Sequence, residues 1–173
     1  MEVFVMDGGS GDGSLDVINR WAPRLAGWRS HPDEGQAAAI NEGVALGSAP
    51  YVCWLNSDDV FLPRGLSKLK NFLEREPDLD WAYGRCMTLS SSGKPIAPYI
   101  TMPFWPWLFA NFCFICQPGT LVRRTAWERL GGLRQELRLA LDYELWWRLY
   151  REFGKPGYCR SFVAGTRAHP ETK

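Results

Sequence analysis

The chain has 173 residues, 46% of them hydrophobic and 23% charged, which suits a single domain with a buried core. The formal net charge is +1, and this near-neutral balance disfavours nucleic acid as a partner, because a phosphate backbone attracts strongly basic surfaces. No apolar run is long enough to span a bilayer and Met1 begins no signal-peptide pattern, so we expect a cytoplasmic protein that is able to touch a membrane surface.

The first predicted strand covers residues 2–6 and ends at Asp7, before a glycine-rich run that starts at Gly8. An aspartate at a strand end suits contact with a nucleobase or ribose, since its carboxylate accepts hydrogen bonds and Gly9 leaves room for a ligand. The run lacks the third glycine of a dinucleotide fingerprint, which argues against a Rossmann dehydrogenase. A solvent-exposed turn is the alternative.

A helix is predicted next, because Leu15, Ile18 and Trp21 recur at helical spacing. Ser14 or Asp12 is the expected N-cap, since both side chains can accept a hydrogen bond from the first turn. Strand, turn and helix in this order form the first half of a βαβ unit.

Residues 28–35 have the composition of a loop, and a second helix is predicted over residues 36–47. Ala37, Ile40 and Val44 fall on one face of this helix and predict a buried stripe. Asn41 projects from a neighbouring face.

Two adjacent carboxylates, Asp58 and Asp59, follow the apolar run of residues 51–55 through Asn56 and Ser57. The run fits a strand buried on both faces, and ligands of open α/β sheets bind at the C-terminal edge of such strands. Neighbouring carboxylates repel each other unless a cation or a shared proton relieves them, and oxygen ligands favour Mg²⁺ or Mn²⁺. The pair indicates a metal-bound phosphate ligand, with a turn and helix N-cap as the alternative.

Leucines at helical spacing predict an amphipathic helix with Pro63 in its first turn. They are Leu62, Leu66, Leu69 and Leu73. A strand over residues 81–84 follows, then its extension or partner over 85–89 and a turn over 90–94. Strands interleaved with helices imply a mainly parallel sheet.

Residues 95–118 combine many aromatic side chains with prolines, which excludes a simple helix or a central strand. One interpretation is a loop folded over the core. The other is an exposed apolar wall that binds an acceptor sugar or a lipid carrier.

A short strand over residues 119–123 and a short helix over 125–130 precede a helix over 139–149, in which Glu144 can pair with Arg148. Asp142 falls in the first turn of this last helix. A carboxylate there can simply interact with the helix dipole, or it can face a pocket and act as a general base for a hydroxyl nucleophile.

The five cysteines include one C-x-x-C pair, Cys113 and Cys116, without the second pair that a zinc site needs. We expect reduced structural thiols, and a redox role for this pair is the weaker alternative. His169 in the tail is either exposed to solvent or a contact for metal or diphosphate.

Five motifs in order along the whole chain resemble the family 2 glycosyltransferases with the GT-A fold. They are Asp7-Gly-Gly-Ser-x-Asp12-Gly-Ser, Ser30-x-Pro-Asp33-x-Gly-Gln36-x-x-Ala-Ile-Asn41-x-Gly, Leu55-Asn-Ser-Asp58-Asp59, Gln117-Pro-Gly-Thr and Asp142-Tyr-Glu-Leu-Trp-x-Arg148-Leu. The resemblance implies an α/β domain of the GT-A type, with a Rossmann-like, mainly parallel sheet flanked by helices. The single domain would cover residues 1–173, with a nucleotide-sugar half over about 1–60 and an acceptor half over about 61–173.

The resemblance also implies an inverting glycosyltransferase of polysaccharide or glycoconjugate synthesis. A sugar would pass from a nucleotide-diphosphate donor to a hydroxyl of a saccharide or lipid-linked acceptor, with Mg²⁺ or Mn²⁺ on the diphosphate. Asp142 corresponds to the catalytic base, and Asp58, Asp59 and His169 to metal contacts. The nucleotide-sugar contacts carried over are Asp7, Gly9, Asp33, Asn41, Asn56, Asp58 and Asp59.

Three departures from the family pattern stand out. Asn56 replaces the first Asp of the D-x-D motif, and Leu141 replaces the Glu before the base. The family also begins with an apolar strand and a helix before the strand at residues 3–6, so we expect an N-terminally truncated domain. A non-catalytic nucleotide-sugar-binding remnant is therefore the alternative, and a nucleotidyltransferase is less favoured because no basic triphosphate signature follows the first strand.

Overall fold

The computed structural model describes residues 1–168, which form an α/β structure of eight strands and six α-helices. The first half contains β1 (Phe4–Asp7), α1 (Ser14–Trp21), β2 (Gly27–Ser30), α2 (Gln36–Ala45), β3 (Tyr51–Val52), β4 (Val60–Phe61) and α3 (Gly65–Arg75). The second half contains β5 (Trp81–Leu89), β6 (Pro95–Pro98), α4 (Pro106–Asn111), β7 (Thr120–Arg123), α5 (Arg124–Leu130), α6 (Leu141–Phe153) and β8 (Gly157–Arg167).

The strands form two sheets. β1 and β2 pair in parallel, while the larger sheet has the order β3-β7-β5-β8-β4, with β6 paired to β5. Within residues 1–168, β1 pairs only with β2, and β3 pairs only with β7. The expectation of a mainly parallel sheet is met by β1–β2 and β5–β8 and is wrong for the other four pairings, which are antiparallel.

The core lies on both faces of the larger sheet, because alternate residues of β5 point to opposite sides. Trp81 and Tyr83 join one buried cluster with residues of α5 and α6. Ala82 and Cys86 join a second cluster, which includes Leu69 of α3. The sheet is therefore a middle layer with helices on each side, and the predicted α/β class is confirmed.

The segment between α2 and β3 joins the two sheets. Glu2 accepts hydrogen bonds from the backbone N–H groups of Ser48 (2.8 Å) and Ala49 (2.9 Å). Arg124 of α5 donates to the carbonyls of Ala49 (2.6 Å) and Val44 (3.0 Å). These contacts hold the start of β1 and the start of β3 at the same end of the molecule.

Several predicted elements are confirmed with small shifts of their bounds, namely α2, α3, β5, the turn at residues 90–94, β7, α5 and α6. Four strands were missed, namely β2, β4, β6 and β8. β2 lies inside the segment interpreted as a loop, since pairing with β1 supplies the order that its sequence lacks, and β8 occupies part of the tail.

Three local predictions are wrong. The N-cap of α1 is Gly13 in the left-handed region, in place of Ser14 or Asp12. α3 begins at Gly65 after Arg64 at φ 59°, so Pro63 lies before the helix. The strand expected over residues 51–55 pairs only at Tyr51–Val52.

The aromatic segment is more ordered than a loop. It contains the short edge strand β6 and the six-residue helix α4, which begins at a proline as first-turn geometry allows. Across residues 1–168, no helix combines the length and apolar character that crossing a membrane requires. All five cysteines are free thiols.

Gly65 sets the distance between α3 and β8. A Cβ at this position would lie 1.8 Å from the Val163 carbonyl oxygen, a backbone atom that cannot rotate away. Leu62 also donates to that carbonyl, at 2.9 Å. Only glycine allows the helix to start so close to the strand.

We expect Gly65→Ala to lower the free energy of unfolding by about 3 kcal/mol, because α3 must move away from β8. Urea unfolding followed by circular dichroism measures the change. Gly11→Ala is the matched control, since a Cβ there meets nothing within 4 Å. Equal stability of the two variants would contradict the close helix–strand contact.

Candidate functional site

Asp7 ends β1 and organises the glycine-rich loop that follows. Its Oδ2 accepts hydrogen bonds from the N–H groups of Gly9 (3.1 Å) and Ser10 (2.9 Å) and from the Ser30 hydroxyl (2.6 Å), and its Oδ1 accepts from the Ser10 hydroxyl (2.5 Å). The bonds from Ser10 and Ser30 hold the pKa of this carboxyl well below its usual range. The carboxylate is therefore ionised and fixed in position.

Gly9 lies in this loop at φ +86°, a conformation that glycine adopts without strain. A Cβ there would also lie 3.2 Å from the ring of Pro32, so the loop packs closely on the next one. Asp33 lies across from Gly8, and its Oδ1 accepts a hydrogen bond from Gly35 N (2.9 Å). That bond is the main reason why the pKa of Asp33 is lowered.

Arg29 of β2 connects these loops. Its role was not predicted, because the composition of residues 28–35 is that of a loop. Its guanidinium donates to the carbonyls of Asp7 (2.7 Å) and His31 (3.1 Å) and pairs with Asp33 (3.0 Å). It also pairs with Glu42 of α2 (2.8 Å). One largely buried cation thus holds the ends of both parallel strands against α2.

Asn56, Asp58 and Asp59 follow β3 in a tight turn, in which Asp59 N donates to Asn56 O (3.1 Å). The Asn56 side-chain oxygen accepts from Gln36 Nε2 at 2.8 Å, which ties the turn to the start of α2. Asp58 is half-buried.

Asp59 is 7% exposed, and its Oδ1 is buried without a hydrogen-bond partner among residues 1–168. Burial raises the pKa of Asp59, and the neighbouring charge of Asp58 adds to the effect, while the Thr166 hydroxyl and the Arg167 N–H oppose it. A buried carboxylate oxygen without a donor is a position that a cation can satisfy.

A stack of tryptophans connects this turn to α6. Trp54 lies 5.7 Å from Trp146, centroid to centroid, and Trp146 lies 5.6 Å from Trp81 of β5. Gln117 also donates to the Trp54 carbonyl at 2.8 Å. Because Trp146 is one turn after Asp142, this contact fixes where the start of α6 lies relative to Asp58.

Asp142 lies in the first turn of α6, after Ala140 at φ 56°. It is half-buried, and this burial raises the pKa of its carboxyl above the usual value of 3.8, despite backbone hydrogen bonds that lower it. The neighbouring Tyr143 donates its hydroxyl to the Phe109 carbonyl at 2.8 Å, which attaches α4 beside this carboxyl.

Asn41 and Arg148 hold the turn that precedes α6. Asn41 donates to Leu133 O (2.7 Å) and accepts from Leu133 N (2.9 Å). Arg148 donates to the carbonyls of Leu130 (2.9 Å) and Gly132 (2.7 Å) and pairs with Glu144 (2.7 Å), as its spacing predicted. The amide of Asn41 is thus engaged by the protein backbone, away from the Asp7 loop.

The structure brings the predicted residues into two connected groups. Asp7, Gly9 and Asp33 form the first, around Arg29, and Gln36 links it to Asn56 of the second. Asp142 lies near Cys113, and Asp59 lies near Cys116, so both aspartates are close to the segment that carries these thiols. His169 lies outside the described residues.

Asp58 and Asp59 are the described residues that could hold a divalent cation. No group of three His, Cys, Asp or Glu side chains with metal-binding geometry occurs within residues 1–168, so an all-protein cage does not fit there. Mg²⁺ and similar ions are often held by one or two carboxylates together with phosphate oxygens and water, and the paired aspartates fit that arrangement.

A model of the family described as "Glycosyl transferase family 2" matches residues 1–131. Chondroitin synthase of Pasteurella multocida (strain Pm70) is 28% identical over 159 residues, which are 90% of this chain and 16% of that protein. The PGL/p-HBAD biosynthesis glycosyltransferase of Mycobacterium bovis is 31% identical over 153 residues, which are 83% of this chain and 56% of that protein.

The fold resembles solved structures of sugar transferases. TarS of S. aureus, in complex with UDP, matches with a TM-score of 0.73 at 15% identity over 98% of this chain and 52% of that one. A mannosyltransferase of Pyrobaculum calidifontis, in complex with GDP-Man and Mn²⁺, matches with a TM-score of 0.72 at 18% identity over 98% of this chain and 48% of that one. The chain spans about half the length of these structures.

We expect Arg29→Met to lower the free energy of unfolding by about 2 kcal/mol, because Asp33 and Glu42 lose their shared cation and two carbonyls lose a donor. Urea unfolding measures this. Lys70→Met is the matched control, since it removes an exposed ion pair with Glu74 and should change the free energy by less than about 0.5 kcal/mol. A loss in Arg29→Met no larger than in the control would show that the cation does not hold these loops.

Proposed function

The chain belongs to glycosyltransferase family 2, and from this membership we propose that it carries out inverting transfer of a sugar from a nucleoside-diphosphate donor to a hydroxyl acceptor. It has the α/β fold of GT-A glycosyltransferases. The acceptor class that we propose is a saccharide or a lipid-linked saccharide.

The observation that carries the proposal is the environment of Asp142. A general base must accept a proton from the acceptor hydroxyl, and its efficiency rises as its pKa approaches the working pH. Burial raises the pKa of Asp142, whereas hydrogen bonds lower that of Asp7. We therefore assign proton removal to Asp142 and ligand contact to Asp7.

We assign the donor diphosphate to the turn after β3. Asp58 and Asp59 would hold Mg²⁺ or Mn²⁺ together with diphosphate oxygens, and the buried, unpartnered Oδ1 of Asp59 supports this use. The cation, when bound, offsets the negative charge that develops on the departing nucleoside diphosphate. Asn56 keeps a polar contact in the turn but contributes no charge.

We assign the nucleoside end of the donor to the first group of residues. Among residues 1–168, Oδ1 of the ionised Asp7 accepts a hydrogen bond from the Ser10 hydroxyl alone, so its second lone pair can accept one from a base or ribose. Gly9 and Asp33 would line the same side of the nucleoside-binding site. We assign Asn41 to positioning the turn before α6, because Leu133 engages both ends of its amide.

We expect Asp142→Asn to lower kcat by about 10²- to 10⁴-fold without changing the affinity for nucleoside diphosphate, because the amide cannot accept the proton. Release of nucleoside diphosphate from a panel of UDP- and GDP-sugars with Mn²⁺ measures kcat, and calorimetry measures affinity. Asp16→Asn is the matched control, since Asp16 is an exposed carboxylate in the first turn of α1.

The dependence of kcat on pH distinguishes a general base from a carboxylate that only interacts with the helix dipole. Because the pKa of Asp142 is raised, the acid limb of kcat should lie above pH 3.8, with the rate rising as the carboxyl loses its proton. Asp142→Asn should lose that limb. An unchanged kcat and profile in this variant would contradict the assignment, and nucleoside-diphosphate binding without turnover by the unmodified chain would favour a binding remnant.

We expect Asp58→Asn to weaken Mn²⁺-dependent binding of UDP or GDP by about 10-fold or more, because one charged ligand is lost. Calorimetry with and without Mn²⁺ measures the difference. Asp78→Asn, an exposed carboxylate after α3, is the control. Equal Mn²⁺ dependence in both variants would overturn the metal assignment.

A further inference from the structure

The charges of the chain are unevenly distributed around the aromatic segment. Residues 81–127 contain no Asp or Glu and contain four cations. Arg123 and Arg124 are turned inward, where they donate to backbone carbonyls. Lys94 is exposed, and Arg85 is half-buried, with its guanidinium carbon 4.1 Å from the centre of the Phe162 ring.

The same segment exposes large apolar side chains. Trp107 is 73% exposed, Trp105 66%, and Ile96 and Ile100 are each 61% exposed. These four residues are named the tryptophan rim. Solvent exposure of this much apolar surface within a short segment is typical of an interaction site.

The rim stands on a rigid support. Phe109 of α4 is fully buried and packs against Phe104 and Phe114, at centroid distances of 5.1 and 5.3 Å. Tyr83 donates to the Met102 carbonyl at 2.5 Å, and Tyr158 donates to the Thr101 carbonyl at 3.3 Å. The exposed tryptophans are thus held outward by a packed inner face.

A basic depression lies beside the rim. It has a volume of about 320 Å³ and is lined by Arg85, Arg160, Thr101, Pro103 and Tyr158. Thr101 follows Ile100 in the chain, and Pro103 lies two residues before Trp105, so residues adjacent to the rim in sequence line this depression.

Arg160 also lines a second depression, of about 390 Å³, with Lys68 and Arg75 of α3. None of the residues that line either depression is acidic. Because Arg160 lines both depressions, they form one basic strip along β8. This strip begins at the tryptophan rim.

We propose that the tryptophan rim and the Arg85–Arg160 depression form a docking surface for an anionic lipid membrane. Tryptophan side chains prefer the boundary between lipid headgroups and acyl chains, since the indole is apolar and its N–H is polar. Guanidinium groups beside them contact lipid phosphates, and a membrane surface supplies both environments at once.

A second copy of the chain fits this surface less well. A symmetric dimer buries the same patch of both copies, so the cations of both depressions would be enclosed in one interface. Residues 81–127 provide no carboxylate to pair with these cations. An anionic membrane matches the charge as well as the apolar character.

Co-sedimentation of the full chain with vesicles tests the proposal without depending on turnover. We expect tighter binding to vesicles of phosphatidylcholine mixed with phosphatidylglycerol than to phosphatidylcholine alone, and weaker binding as salt is raised. The double variant Trp105→Ser/Trp107→Ser should lose about 10-fold or more in binding. Arg85→Gln/Arg160→Gln should lose about 5-fold for each cation.

The control variants are Trp21→Ser, at an exposed tryptophan on α1, and Lys70→Gln, at an exposed cation on α3, and both should bind as the unmodified chain does. Circular dichroism checks that each variant is folded. Failure to bind either vesicle, equal binding to both, or unchanged binding by the tryptophan variant would overturn the proposal. So would sedimentation equilibrium showing a dimer that the tryptophan substitutions dissociate.

Discussion

The stack of Trp54, Trp146 and Trp81 is the contact on which the geometry of the site depends. Trp54 precedes Asp58 by four residues, Trp146 follows Asp142 by one helical turn, and Trp81 opens the central strand β5. Large aromatic side chains in a packed core adopt few arrangements, so their contacts fix the elements that carry them. The two carboxyls that we assign to metal and proton transfer are thereby positioned through residues that do no chemistry.

The elements that the sequence predicted are those whose apolar residues repeat at a clear period. α3 and α6 each bury one side, so periodicity was sufficient for them, while β5 is buried on both faces and was predicted from a continuous apolar run. β2 has the sequence Gly-Trp-Arg-Ser and becomes a strand because β1 lies beside it. Pairing between distant segments is a tertiary effect that local propensity does not encode.

The residues of the candidate site also divide into those that the sequence predicts and those that only the fold reveals. Residue type and position were enough to single out Asp7 and Asp58, which follow strands, and Asp142, which lies at a helix start, because ligands of open α/β sheets bind at the carboxyl ends of the strands. The residues that hold them in place were harder to foresee. Arg29 contacts partners on both sides of its strand, and Asn41 meets Leu133 across a long sequence separation, so only the folded chain reveals these contacts.

Environment separates the roles of chemically identical side chains in this molecule. Asp7 receives four hydrogen bonds from its own loops, which favour the ionised form and make it a poor proton acceptor. Asp142 is shielded from water at a helix start. This burial favours the neutral form and raises the pKa, which makes the carboxylate a better proton acceptor. Burial and the neighbouring charge of Asp58 raise the pKa of Asp59, and its buried, unpartnered Oδ1 is the position to which we assign a cation. Three aspartates can therefore serve ligand contact, proton transfer and metal binding because the fold gives each a different balance of hydrogen bonding, burial and charge.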